Sequence, residues 1–115
     1  MAVIKSAMRG VIEPLHSAGA ATANGIALAI PSSYVNHKIT IKTSAGVASG
    51  AVQPESADVA DYTGTWNPIG GGPITVPAAS SIYEYEFTGR FSAIRARIST
   101  IVVGGTVDIS YVGSP

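Results

Sequence analysis

Residues Ser80 to Gly113, SSIYEYEFTGRFSAIRARISTIVVGGTVDISYVG, alternate bulky apolar side chains with polar ones, and no other stretch narrows the fold as far. A period of two sends successive side chains to opposite faces of a strand, so the stretch predicts strands with one buried face. Val107, Ile109 and Tyr111 alternate with Thr106, Asp108 and Ser110. Ile94, Ala96 and Ile98 alternate with Ala93, Arg95, Arg97 and Ser99, and Tyr83, Tyr85 and Phe87 with Ile82, Glu84 and Glu86. Gly104-Gly105 predicts a two-residue hairpin, because both central positions of such a turn favour positive φ. That hairpin sets Val102 against Val107, Thr100 against Ile109 and Ile98 against Tyr111, inward residue on inward residue. A turn at Thr88-Gly89 sets Tyr83 opposite Ile94 and Glu84 diagonal to Arg95. A bulge or a crossing between sheets at Gly89 is the competing reading. The stretch reads as a β-meander.

The preceding residues extend the pattern. Val3 to Met8 and Val11 to Leu15 each have the length of a short strand, with Pro14 restricting the second to an edge or to non-strand. The small residues of SAGAATANG at 17–25 read either as an extended arm that packs on a neighbour or as a loop after a first strand. Gly19, Thr22, Asn24 and Gly25 argue against a helix there. Ile26 to Ile30 is a short apolar strand ended by Pro31, and Tyr34 to Thr43 is a strand with Val35, His37, Ile39 and Ile41 on one face. Ser44-Ala45-Gly46 turns into a weaker strand, Val47 to Gln53, so these two predict a hairpin. Pro54 to Ala60 reads as an acidic surface loop, Tyr62 to Trp66 as a short strand, and Ile74 to Val76 as an edge strand between prolines. The expectation is an all-β chain of about eight short strands, an antiparallel β-sandwich of the jelly-roll kind. Residues 1–25 form an N-terminal arm or edge strand, and 26–115 the sandwich.

At 115 residues the chain is one domain that needs no staples. It has no cysteine, which removes disulfides, thiolate metal sites and a cysteine nucleophile. Only 12% of residues are charged, against about 25% in a typical domain, and formal net charge is zero. Electrical neutrality favours association, so the composition suits a component of an assembly. Seven basic residues balance seven acidic ones without a Lys/Arg cluster, so nothing points to nucleic acid. There is no apolar run of transmembrane length and no signal-peptide core, so neither membrane nor secretion is expected, and synthesis in the cytoplasm is.

No constellation of side chains specifies a reaction. His16 and His37 are too far apart to read as a metal pair, and His37 falls on the apolar face of its strand. Glu55, Asp58 and Asp61 lack the spacing of a calcium loop and read as a solvated acidic loop. Glu84 and Glu86 share a strand face, the minimum geometry of a carboxylate pair, and read more simply as surface charges. No catalytic, cofactor or metal residues are therefore assigned. Trp66 and Tyr62 stack on sugars if they stand at the sandwich rim, or plug the core or a subunit contact.

The TGTW segment at 63–66, its glycine-rich sequel and YEFTGRFSAIRARISTIVVGGTVDISYVG together resemble part of a known class. They are similar to the carboxyl half of small β-sandwich virion proteins of tailed bacteriophages. That class includes head decoration (cement) proteins and jelly-roll modules of tail and baseplate, and the resemblance covers residues 60–113. It implies a structural protein on the capsid exterior that binds the major capsid protein, as a homo-oligomer or as many lattice copies, and stabilises the head. The alternative is a carbohydrate- or receptor-binding module of a tail or baseplate. Tyr34, Tyr62, Trp66, Phe91, Arg95 and Arg97 are the expected contact residues, since aromatics and arginine anchor interfaces.

Overall fold

The computed structural model describes residues 5–7, 11–59, 62–76 and 78–115. Within them the chain forms ten strands and no helix. These are β1 (Lys5–Ser6), β2 (Glu13–Gly19), β3 (Leu28–Ala29), β4 (Asn36–Thr43), β5 (Ser49–Ala57), β6 (Asn67–Pro68), β7 (Ile74–Thr75), β8 (Ile82–Thr88), β9 (Ala93–Val103) and β10 (Val107–Ser114). A four-stranded antiparallel sheet runs β2-β10-β4-β8. A six-stranded sheet runs β1-β3-β9-β5, with β6 and β7 sharing the outer edge of β5. Among the described residues only the β1·β3 pair is parallel.

The pairs are nested: β2 with β10, β3 with β9, β4 with β8, and β5 with β6 and β7. The chain is thus one long antiparallel ribbon, its limbs folded so that successive strands pass from sheet to sheet, except that β5, β6 and β7 share one sheet. Further pairing of β10 with β4 and of β9 with β5 closes the two sheets. This is the jelly-roll arrangement expected for the chain. The interior is filled by the alternating residues already described. Leu15, Ile39, Ile41, Val107, Ile109 and Tyr111 face Leu28, Val52, Ile94, Ala96, Ile98 and Val102.

The predicted hairpins do not form. Tyr83 lies opposite Ile41 and not Ile94, Ile109 opposite Ile41 and not Thr100, and Tyr111 opposite Ile39 and not Ile98. Every short connection in question, at Gly46, at Gly89 and at Gly104-Gly105, carries the chain from one sheet to the other; at Gly89 this is the competing reading. The reason is packing: a strand whose apolar face must meet an opposing sheet joins the core from either layer. Local turn chemistry does not distinguish the two outcomes. The Gly46 and Gly104 turns, both at φ 89°, lie against each other so closely that a Cβ on Gly104 would overlap the Gly46 carbonyl oxygen.

Other expectations are corrected in detail. Residues Pro54–Ala57, read as part of a surface loop, belong to β5 and are largely buried. Pro54 lacks the N–H that a central strand needs. Ile69 N–H donates to Pro54 O (2.8 Å), and the Gln53 side-chain amide donates to Ile69 O (3.2 Å) in place of the missing backbone group. Tyr62 to Trp66 is not a strand; β6 begins just after it. Pro14 sits on edge strand β2, as its chemistry requires, and Leu15 is fully buried. Residues 20–23 hydrogen-bond to the chain's own β9, through Ala20 O to Val102 N–H (2.8 Å) and Ala23 O to Ile98 N–H (2.9 Å). Val3, Ile4 and Met8 of the first expected strand lie outside the described residues, as do Ala60, Asp61 and Pro77.

The nested turns yield a stability test. Gly104→Ala is expected to destabilise the fold by more than about 2 kcal/mol, through positive φ and overlap with the facing turn. Gly71→Ala, where an added Cβ meets nothing within 4 Å, is expected to change stability by less than about 0.5 kcal/mol. Urea denaturation of both variants measures the contrast.

Candidate functional site

Two layers of polar chemistry lie on the sandwich. The first is on the outer face of the six-stranded sheet. There Ala27 before β3, Ala57 of β5 and Ala93 of β9 leave a trough in which the Trp66 indole is buried. Its N–H donates to Tyr62 O (3.3 Å), and the Arg95 guanidinium lies 4.4 Å from the ring centroid. The β5·β9 register puts Glu55 directly opposite Arg95. Arg95 Nε donates to Glu55 Oε1 (2.8 Å) and Arg97 Nε to Glu55 Oε2 (3.2 Å). One buried carboxylate is thus held by two guanidinium groups, one of which is stacked on an indole. The arrangement fastens the segment after β5 to the sheet.

This overturns one sequence expectation, for Glu55, and decides between the two readings of Trp66 in favour of the plug. Glu55 is no solvated acid of a calcium-like loop; it is buried and ion-paired. Trp66, 4% exposed, does not stand at the rim, so its ring offers no platform for a sugar. Arg95 pairs with Glu55 and not with Glu84, whose partner is Lys38 (3.0 Å). Among the described residues no three His, Cys, Asp or Glu side chains come together as metal ligands would.

The second layer lies on the outer face of the four-stranded sheet. Asn36 and Lys38 on β4, Glu86 and Thr88 on β8, and Val112 and Ser114 on β10 line an open groove of about 540 Å³. Alternation sends these residues outward, and the pairing of β4 with both β8 and β10 gathers them. Beneath them His37, Phe87 and Gly113 form the floor. The amide, ammonium, carboxylate and hydroxyl groups suit a polar ligand held by several hydrogen bonds.

The floor is rigid for a polar reason. His37 Nε2–H donates to Gly89 O (2.8 Å), so in the neutral ring Nδ1 accepts from the Tyr111 hydroxyl (2.6 Å). Phe87 stacks on the imidazole at 5.1 Å and Phe91 meets it edge-on at 5.3 Å. Burial lowers the His37 pKa, opposed by the Gly89 hydrogen bond. Burial, with Tyr34 nearby, holds the Tyr111 phenol well above its ordinary range. His16 plays a similar part at the sandwich's side, its Nε2–H donating to Ala96 O (2.8 Å) and its pKa lowered by burial.

The six expected contact residues therefore separate into two groups. Tyr62, Trp66, Arg95 and Arg97 meet on the six-stranded sheet, with Tyr62 and Arg97 outermost. Phe91, half-buried, and Tyr34, buried, belong to the His37 cluster and its surroundings. The groove residues were not singled out from sequence. The alternation of NHKITIKT marks Asn36 and Lys38 as outward, but their neighbours on β8 and β10 come from far along the chain.

Two measurements follow. Arg95→Ala is expected to cost about 3 kcal/mol and to shift the emission of the single tryptophan, because it strips a buried carboxylate and uncovers the indole. Arg97→Ala, whose side chain is 40% exposed, is expected to cost less than about 1 kcal/mol. For pH, both histidines have lowered folded-state pKa values, so the unfolded chain takes up protons first. The stabilisation is complete above the unfolded value of 6.5 and is lost as pH falls through the folded values. Melting curves are expected to show Tm falling as pH drops below that point, with His37→Gln less pH-dependent than the parent.

Comparison with protein-family models, with curated proteins and with solved structures finds no match to this chain, so its site is defined by geometry alone.

Proposed function

We propose that this chain is a structural jelly-roll protein that works by adhering to other macromolecules, as a capsid decoration protein that binds the major capsid protein and stabilises the head. The observation that carries the adhesive reading is the use of its buried polar groups. Glu55 is taken up by two arginines, His37 by Tyr111 and Gly89, and His16 by Ala96. These groups hold the sandwich together, and the chemistry left over is spread across shallow outer faces. The charge balance of the chain supports life in an assembly. The virion assignment rests on the resemblance of residues 60–113. Many copies on a lattice gain avidity, so each contact can be weak.

The groove favours a second reading, a carbohydrate- or receptor-binding module of a tail or baseplate, because its hydroxyl, amide and carboxylate groups match a polyol. Purified protein added to capsids that lack a decoration protein is expected to bind and to raise their thermal resistance. A glycan array with strong hits that are lost in Asn36→Ala, together with no capsid association, would instead establish the second reading.

A further inference from the structure

Among the described residues the sandwich has one long, regular, open strand edge. Of the other peripheral strands, β6 and β7 are two residues each, and β2 carries Pro14 and two register shifts. These three are blunted in the ways that proteins use to prevent further pairing. β8 differs: seven residues without proline, glycine or bulge, paired in unbroken register with β4 on one side only.

The hydrogen bonds at its ends fix which groups are free. Thr43 N–H donates to Ser81 O, and Gly89 N–H donates to Val35 O, both at 3.0 Å. In an antiparallel ladder the direction alternates by residue, so Tyr83, Tyr85 and Phe87 turn their N–H and C=O toward β4. Ile82, Glu84, Glu86 and Thr88 turn theirs outward, and among the described residues no strand meets them.

The same residues determine what can pair there. An added antiparallel strand places its own residues directly opposite Glu84 and Glu86, on the outer face. A second copy is disfavoured: any two-fold pairing that uses most of β8 sets Glu84 against Glu86, or one of them against itself. Like charges directly opposed are destabilising. Lys38 engages Glu84 from the inner side of the edge, while Glu86 and half of Glu84 remain exposed.

We infer that the β8 edge is a docking site for an extended segment of a partner protein, added as a further strand, with Lys or Arg at two alternate positions facing Glu84 and Glu86. Backbone hydrogen bonds supply the affinity and the carboxylates the selectivity. The groove lined by Glu86, Thr88 and Lys38 lies beside this edge and receives a flanking side chain. The site does not depend on the capsid reading. Peptide capture by a protein that ignores capsids would keep the edge and remove that reading, and the converse result would do the reverse.

The probe is a capped peptide of about nine residues in which lysine alternates with valine, a length matched to one strand. It is expected to bind the intact protein and to slow amide exchange at Glu84 and Glu86, which exchange rapidly in the free protein. A glutamate-for-lysine peptide is expected to bind at least about tenfold more weakly. N-methylation of the lysine amides is expected to abolish binding, and N-methylation of the valine amides to leave it. Glu86→Lys, checked for an unchanged melting midpoint, is expected to lower affinity for the lysine peptide and raise it for the glutamate one. Absence of binding, equal binding of the two peptides, or binding without protection of Glu84 and Glu86 overturns the inference. Protection of these amides in concentrated protein alone also overturns it, since the occupant is then a second copy.

Discussion

The sandwich depends on pairing between two limbs of the chain that are far apart in sequence. β4 bonds to β8 and β10, and β5 to β9, so no sheet exists until the second half of the chain has joined the first. The two apolar faces then close on each other, with Ile39, Ile41 and Ile109 against Ile94, Ile98 and Val52. Hydrophobic burial of this kind is non-directional. The backbone ladders, which leave each strand only one face for the core, give it a direction.

Within that frame the buried polar groups act as fasteners. Each joins pieces that apolar packing alone would leave loose. Glu55 ties β5 to β9 and, through Arg95 and Trp66, to the segment between β5 and β6. His37 ties β4 to β10 and to the Gly89 crossing, and His16 spans from edge strand β2 to β9. A buried charge or imidazole is tolerated only when its hydrogen bonds are met, so each such residue also specifies its neighbours. The substitution of the Gln53 amide for the N–H that Pro54 lacks belongs to the same logic. It lets a proline sit inside a central strand where sequence rules place a loop.

The consequence for function is that polar residues on the two outer faces differ in kind. On the six-stranded sheet they are internal to the architecture, and a segment of the chain lies over them. On the four-stranded sheet they line an open groove beside a strand edge that no described strand covers. Asn36 there donates to Pro115 O and Lys38 pairs with Glu84, while Glu86 and Thr88 stay exposed beside the edge.

The sequence by itself determined the class of structure. The period of two from Tyr83 to Phe87, from Ile94 to Ile98 and from Val107 to Tyr111 marked strands and the residues that enter the core. It also restricted Pro14 to an edge or a non-strand position and put His37 on an apolar face. Strand alternation is a local consequence of backbone geometry, and so it is legible in a single chain. Which strands pair was decided by the tertiary structure alone. A turn at Gly104-Gly105 serves a hairpin or a crossing equally well, and only the fit of two complete apolar faces selects the crossing. For the same reason Glu55 looked exposed, and the place of Trp66 stayed open between rim and core, until β9 brought Arg95 to both of them. The groove and the open edge of β8 likewise exist only where distant strands are laid side by side.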